Sequence, residues 1–155
     1  MEDTIIKISI PSDDEGFVLL QCPLCGIYFK LRPSDYEDDS VLYVYCPSCG
    51  LSSDNYMTNE VIELAHNIAS NYAMDVLFEE FKELERKTAN NRMISFKAGS
   101  KPRSLSEEPI KSSIEAMTIL DFNCCNKQIK TKPLLKMTGC YCPFCGVKEY
   151  EFDSK

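Results

Sequence analysis

Residues 22–50 read CPLCGIYFKLRPSDYEDDSVLYVYCPSCG. The stretch opens on Cys22 and Cys25 and closes on Cys46 and Cys49, two C-P-x-C-G turns with twenty residues between Cys25 and Cys46. A C-x-x-C turn presents two thiolates to one ion, and two such turns complete a closed tetrahedral site. The spacing therefore predicts a structural zinc site on these four sulfurs. Proline after the first cysteine pre-sets the turn. Glycine after the second accepts a positive φ, and the amides of the turn then point at sulfur.

The flanks of these turns read as strands. Phe17 to Gln21 enters the first turn, Ile27 to Leu31 leaves it, and Val41 to Tyr45 enters the second after an acidic turn from Pro33 to Ser40. Strand, knuckle, strand, loop, strand, knuckle is the order of a zinc ribbon. Further out, Ile6, Ile8 and Ile10 alternate with Lys7 and Ser9, the pattern of a half-buried strand closed by Pro11.

Downstream, Val61, Leu64, Ala65, Ile68, Tyr72, Val76, Leu77, Phe81 and Leu84 recur at spacings of three and four. This predicts an amphipathic helix from about Thr58 to Lys87, with Thr58 as N-cap and Glu60 at its positive end. Met93 to Lys97 reads as a short strand, and Gly99 to Pro109 as a linker. Ile110 to Leu120 fits a second, shorter helix or an extended stretch, and the pattern does not choose between them.

A near-copy of the knuckle, C-P-F-C-G, stands at Cys142 and Cys145, with Cys124 and Cys125 upstream. Aligning the two halves puts Cys125 opposite Cys25 and Phe122 opposite Cys22, so the fourth sulfur must come from Cys124 or Cys140. Neighbouring side chains diverge in a strand, so Cys124 can join Cys125 only where the backbone bends. Cys140 shares a face with Cys142 in an extended segment. The preferred second set is Cys124, Cys125, Cys142 and Cys145, with Cys140 as the alternative. The expectation is an α+β protein: two small β zinc ribbons joined by a long amphipathic helix and a linker. Its segments are 1–57 (strand and ribbon), 58–97 (helix and short strand), 98–121 (linker) and 122–155 (ribbon). Two structural zinc ions are expected.

Nine cysteines in 155 residues could instead mark a disulfide scaffold. Three features oppose that. The count is odd, the cysteines sit in C-P-x-C-G turns, and Met1 is followed by Glu2-Asp3-Thr4 rather than the basic and apolar stretch of a signal peptide. A reducing cytoplasm, where thiols stay available for metal, is the expected location. No apolar run approaches the ~20 residues of a membrane span.

Charge is uneven. Residues 1–60 carry 3 Lys or Arg against 11 Asp or Glu, whereas residues 124–155 carry 6 Lys against 3 acids. A net charge of −7 disfavours non-specific nucleic-acid binding by the whole chain, yet leaves a basic C-terminal surface. His66, the only histidine, reads as a packed or surface residue of the helix, so no Ser-His-Asp set or H-E-x-x-H motif is credible, and no phosphate-binding glycine loop is present. No enzyme and no small-molecule substrate is expected.

The C-P-x-C-G knuckles with strand flanks resemble zinc ribbons of the transcription factor IIB type, over residues 17–50 and less fully over 122–152. That resemblance implies a metal-stabilised ribbon, and ribbons of this kind bind DNA, RNA, polymerase subunits or other proteins. The segment Cys142-Pro143-Phe144-Cys145-Gly146-Val147, with Phe152 beyond it, is also similar to the C-terminal knuckle of rubredoxins, which implies iron and electron transfer. Phe122 and the lack of Trp depart from that family.

The long helix, the acidic N-terminal half and the absence of catalytic groups point to a non-catalytic adaptor or regulator of a protein partner. By analogy, it could serve as an accessory subunit or inhibitor in a bacterial defence or toxin system. The alternative is a nucleic-acid-binding ribbon. There Lys127, Lys130, Lys132 and Lys136 would meet phosphates, and Tyr141 and Phe144 would stack on bases.

Overall fold

A computed structural model describes residues 5–111 and 116–152 of the chain. The fold is α+β, as the sequence implies, and it divides into two compact units. One comprises 10–59 and 110–155; the other comprises the first nine residues and 60–109.

The first unit is built on two hairpins. Strands β1 (Val18–Gln21) and β2 (Tyr28–Leu31) form one, and β3 (Thr118–Phe122) and β4 (Lys127–Thr131) form the other. They join edge to edge in a four-stranded antiparallel sheet of order β1-β2-β4-β3. Alternation at period two sends Phe29 and Leu31 of β2, Leu120 and Phe122 of β3, and Ile129 of β4 into one core. That core also holds Cys22, Cys46, Cys140, Cys142, Tyr56, Leu135 and Phe144.

The hairpins are near-copies one hundred positions apart. Short helices α1 (Pro33–Tyr36) and α3 (Pro133–Thr138) follow β2 and β4, each opened by a proline. The knuckles answer each other too. The Tyr45 amide donates to the Pro143 carbonyl at 2.8 Å, and the Tyr141 amide to the Pro47 carbonyl at 2.9 Å. A Cβ on Gly50 would stand 2.8 Å from the Tyr141 ring, so this contact, besides a φ of 73°, requires glycine. Strands β5 (Cys140–Tyr141) and β6 (Lys148–Glu149) pair across the last knuckle.

At the seam Lys30 of β2 lies directly opposite Lys130 of β4. Like charges in that position repel. Asp13 resolves the conflict: its Oδ2 accepts from Lys130 Nζ at 2.8 Å and from Lys30 Nζ at 3.4 Å, and Glu15 also pairs with Lys130. Burial pushes the Asp13 carboxyl pKa up. The Lys130 ammonium and the amides of Phe17 and Glu15 outweigh it and hold the group at about 2.

The second unit carries α2 (Asn59–Thr88), which matches the predicted helix to within a residue at each end. At 30 residues it is ~45 Å long. Residues 96–107 run back along it without forming a strand. The Asn71 side chain donates to the Leu105 carbonyl and accepts from the Leu105 amide, Asn67 donates to the Ser106 carbonyl, and Phe96 meets Phe81 ring to ring. Lys101 pairs with Asp75.

Several sequence expectations are corrected. The two ribbons are not separate ends of the chain: one sheet and one core unite 10–59 with 110–155. Residues 99–107 are not a free linker, because hydrogen bonds tie them to α2. No strand forms over Ile6–Ile10 or Met93–Lys97, and Val41–Tyr45 shrinks to a single bridge between Tyr45 and Ser52. An alternating pattern makes a strand only where a neighbour supplies hydrogen bonds, and Tyr45 gives its amide to Pro143 instead. Of the undecided stretch Ile110–Leu120, the end is extended and enters β3, while 112–115 lie outside the described residues.

Candidate metal centres

Three knuckles repeat one backbone pattern. Cys22, Cys46 and Cys142 each donate an amide to the residue five positions on (Ile27, Leu51 and Val147), and their carbonyls accept from Gly26, Gly50 and Gly146 at 2.8–2.9 Å. The glycines have φ of 75°, 73° and 75°. At the fourth corner the turn 123–126 ends on Asn126, which adopts a φ of 52° in place of glycine. Asparagine tolerates this left-handed region better than most residues.

These turns gather the sulfurs into two groups, Cys22, Cys25, Cys46 and Cys49, and Cys124, Cys125, Cys142 and Cys145. Within each group all four sulfurs lie within 4.8 Å of one another. Measured pairs are 3.9 Å (Cys22–Cys49), 3.5 Å (Cys25–Cys46) and 3.4 Å (Cys124–Cys145). A tetrahedral ion with bonds of ~2.3 Å would set its sulfurs ~3.8 Å apart, so both groups could hold a metal ion. These eight residues are the predicted ones. The bend of the 123–126 turn brings Cys124 beside Cys125. Cys140 is fully buried outside the group, with its Sγ 3.8 Å from the Tyr141 carbonyl, and burial raises its thiol pKa to about 12.

The two groups differ in their surroundings. Burial raises the thiol pKa of Cys22, but the amides of Cys25 and Leu24 outweigh it and the net shift is downward. Burial raises Cys46 strongly, opposed by the amides of Cys49 and Ser48, the latter 3.4 Å from sulfur. In the second group the amides of Phe144 and Cys145 serve Cys142, and the amide of Val147 serves Cys145. Cys124 is different. Burial, the Glu149 carboxylate and the neighbouring sulfurs all push its thiol upward. Glu149 Oε1 also accepts from the Cys124 amide at 3.2 Å. Only Cys25 is exposed in the first group, whereas Cys124 and Cys145 are both exposed in the second. The sequence flagged Phe122 as the irregular position but gave no sign of Glu149.

The four lysines do not form one open surface. Lys130 is held by Asp13 and Glu15. Lys127 donates to the Asp35 carbonyl at 2.8 Å and to Asp38 at 3.3 Å, and sits over the Phe144 ring. Lys132 is exposed at the start of α3, and Lys136 is half-buried. Phe144 is 8% exposed and belongs to the core. His66 is exposed on α2, in neither cysteine group. No helix among the described residues is long and apolar enough to cross a membrane.

No protein-family model, no curated protein and no solved structure matches this chain.

Proposed function

We propose that the protein is a non-catalytic, zinc-stabilised adaptor or regulator that binds a protein partner in the cytoplasm. The observation that carries this reading is the surface of α2. Tyr72, Val76, Leu77, Phe81 and Leu84 are 44–55% exposed over little more than three turns. Exposed apolar groups this dense mark interaction surfaces. Four thiolates with amide support suit zinc. The likeness to transcription-factor-IIB-type ribbons belongs to the same proposal and rests on the knuckle motif. Neutralisation of Lys127 and Lys130 by acids of the same unit weighs against a nucleic-acid role.

The test has two arms. Elemental analysis of protein purified in reducing buffer should find two zinc ions per chain, and a red, iron-loaded preparation would favour the rubredoxin likeness. In the native cell, crosslinking should trap a defined partner with the parent protein and lose it with the double variant Leu77→Asp/Phe81→Asp. Equal capture by parent and variant, or tight salt-sensitive binding to labelled RNA or DNA at ~0.15 M salt, would overturn the reading.

A further inference from the structure

Beside β1, on the side away from β2, lies a groove of about 420 Å³. All its lining residues come from 10–57, within the unit that carries the cysteine groups. Its deeper residues, Val18, Leu20, Val44 and Tyr56, are buried or half-buried. At its mouth stand Leu42, Tyr43 and Met57, exposed by 83%, 60% and 52%. Such large apolar side chains around a concave apolar surface are costly to leave in water.

The groove is braced. The Tyr56 hydroxyl donates to the carbonyls of Val44 at 2.8 Å and Leu51 at 3.2 Å. The Tyr56 carbonyl accepts from the Gln21 amide at 2.9 Å, and Ser12 bridges to Val18. The outer edge of β1 is therefore engaged at both ends. An occupant would bind through side chains in the groove rather than by adding a strand.

The polar groups of the lining narrow the choice. The Ser53 hydroxyl bonds to the Asn55 carbonyl, and Asn55 Oδ1 accepts from the Met57 amide, so both serve their own turn. Asp54 lines the groove and makes no ion pair among the described residues. An apolar groove with an unpaired carboxylate in its lining repels phosphate and attracts cations.

We propose that this groove binds a short peptide segment of a protein partner, in which a large apolar side chain is flanked by Lys or Arg. The apolar side chain fills the space between Leu20, Val44 and Tyr56, and a flanking cation meets Asp54. The inference rests on the adaptor reading and adds a surface to it, separate from the α2 residues that carry that reading.

The experiment is selection of a displayed random dodecamer peptide library on the full-length, zinc-loaded protein. The strongest peptide is then synthesised with a fluorophore for anisotropy. Selected peptides should share a large apolar residue with Lys or Arg within two positions. Leu42→Asp/Met57→Asp should weaken binding at least ~10-fold, the cost of ~1.4 kcal/mol, and Asp54→Lys by several fold with a flatter salt dependence. All three positions are at the surface, so the variants should keep the parent's melting temperature and zinc content. An empty selection, peptides without basic residues, or affinity untouched by the groove variants would overturn the proposal. Binding lost only in Leu77→Asp/Phe81→Asp would overturn the groove and leave the adaptor reading standing.

Discussion

The hairpin of residues 18–31 and the hairpin of residues 118–131 share one strand layout, and the difference that matters most for the cysteines lies at the end of the entering strand. Cys22 and Phe122 occupy the same place at the end of the entering strand, and both are buried, at 0% and 1% exposure. In the first hairpin that place holds a sulfur served by two amides. In the second it holds a ring that packs edge-on against Phe152 at 5.4 Å. The sulfur has moved two residues outward to Cys124, where it is exposed and faces Glu149. The exchange gains core packing and gives up amide support for a ligand. One protein thus contains a sheltered cysteine group and an open one.

The largest expected effect tests whether the halves stand or fall together. Structural zinc in small domains is worth on the order of 10 kcal/mol, more than the ~5–15 kcal/mol of net stability typical of a whole domain can readily lose. Cys46→Ser should therefore unfold the first ribbon. Because Phe29 and Leu31 share a core with Leu120 and Ile129, it should unfold the β3–β4 hairpin as well. Amide hydrogen exchange in the variant is the measurement. Protected amides in β3 and β4 would show that the second hairpin holds its structure alone, and would break the picture of a joint core.

The next effect separates the two groups. A chromophoric chelator added to the zinc-loaded protein should withdraw the two ions in distinct phases, the second group first. Partners beyond the ligands alter metal affinity by ~10–100-fold, and a gap of at least ~10-fold in release rate is expected. Glu149→Gln keeps an acceptor for the Cys124 amide and removes the negative charge, so it should slow the fast phase and leave the slow one alone. A single phase, or a Glu149→Gln effect on both, would mean that the groups are equivalent.

How far the sequence alone could carry this picture depends on the range of each signal. Six of the sulfurs were legible because a knuckle is local: cysteine, proline and glycine at fixed offsets define the turn themselves, whereas Cys124, in a turn without proline or glycine, had to be weighed against Cys140. The helix was legible for the same reason, as the spacing from Val61 to Leu84 is one helical face. The pairing of β2 with β4 was not. Lys30 carried no signal and Lys130 was a candidate phosphate contact, and nothing nearby shows that they meet or that Asp13, far upstream of Lys130, neutralises both. Strands expected at Ile6–Ile10 and Met93–Lys97 failed for the converse reason. Alternation is a property of a segment, while a strand is a property of a pair.

Asp13 gives a moderate effect at the seam between the halves. Its carboxyl titrates at about 2 in the folded protein, below its value of 3.8 when free. The stabilisation is therefore complete above about pH 4 and is lost as the pH falls through the folded value. Asp13→Asn should cost ~1–2 kcal/mol at pH 7, and the gap from the parent should close as the pH drops from 4 towards 2. Urea unfolding across that range is the check. A gap independent of pH would mean that Asp13 acts through its turn, where its Oδ1 accepts from the Phe17 and Glu15 amides, rather than through its charge.

The smallest effect runs the other way. Leu31 and Thr131 hold equivalent places in β2 and β4, and both are fully buried. The Leu31 side chain needs no partner, but Thr131 Oγ1 has no hydrogen bond among the described residues. A buried hydroxyl without a partner costs ~1–3 kcal/mol, and replacing it with an apolar group of the same shape recovers part of that. Valine has the same branching and suits a strand equally well. Thr131→Val should therefore stabilise the zinc-loaded protein by ~0.5–1 kcal/mol, read as a shift of the urea midpoint at constant slope. Destabilisation would mean that Thr131 does have a hydrogen-bond partner, and that the second hairpin differs from the first by a polar contact in its core as well as by its displaced cysteine.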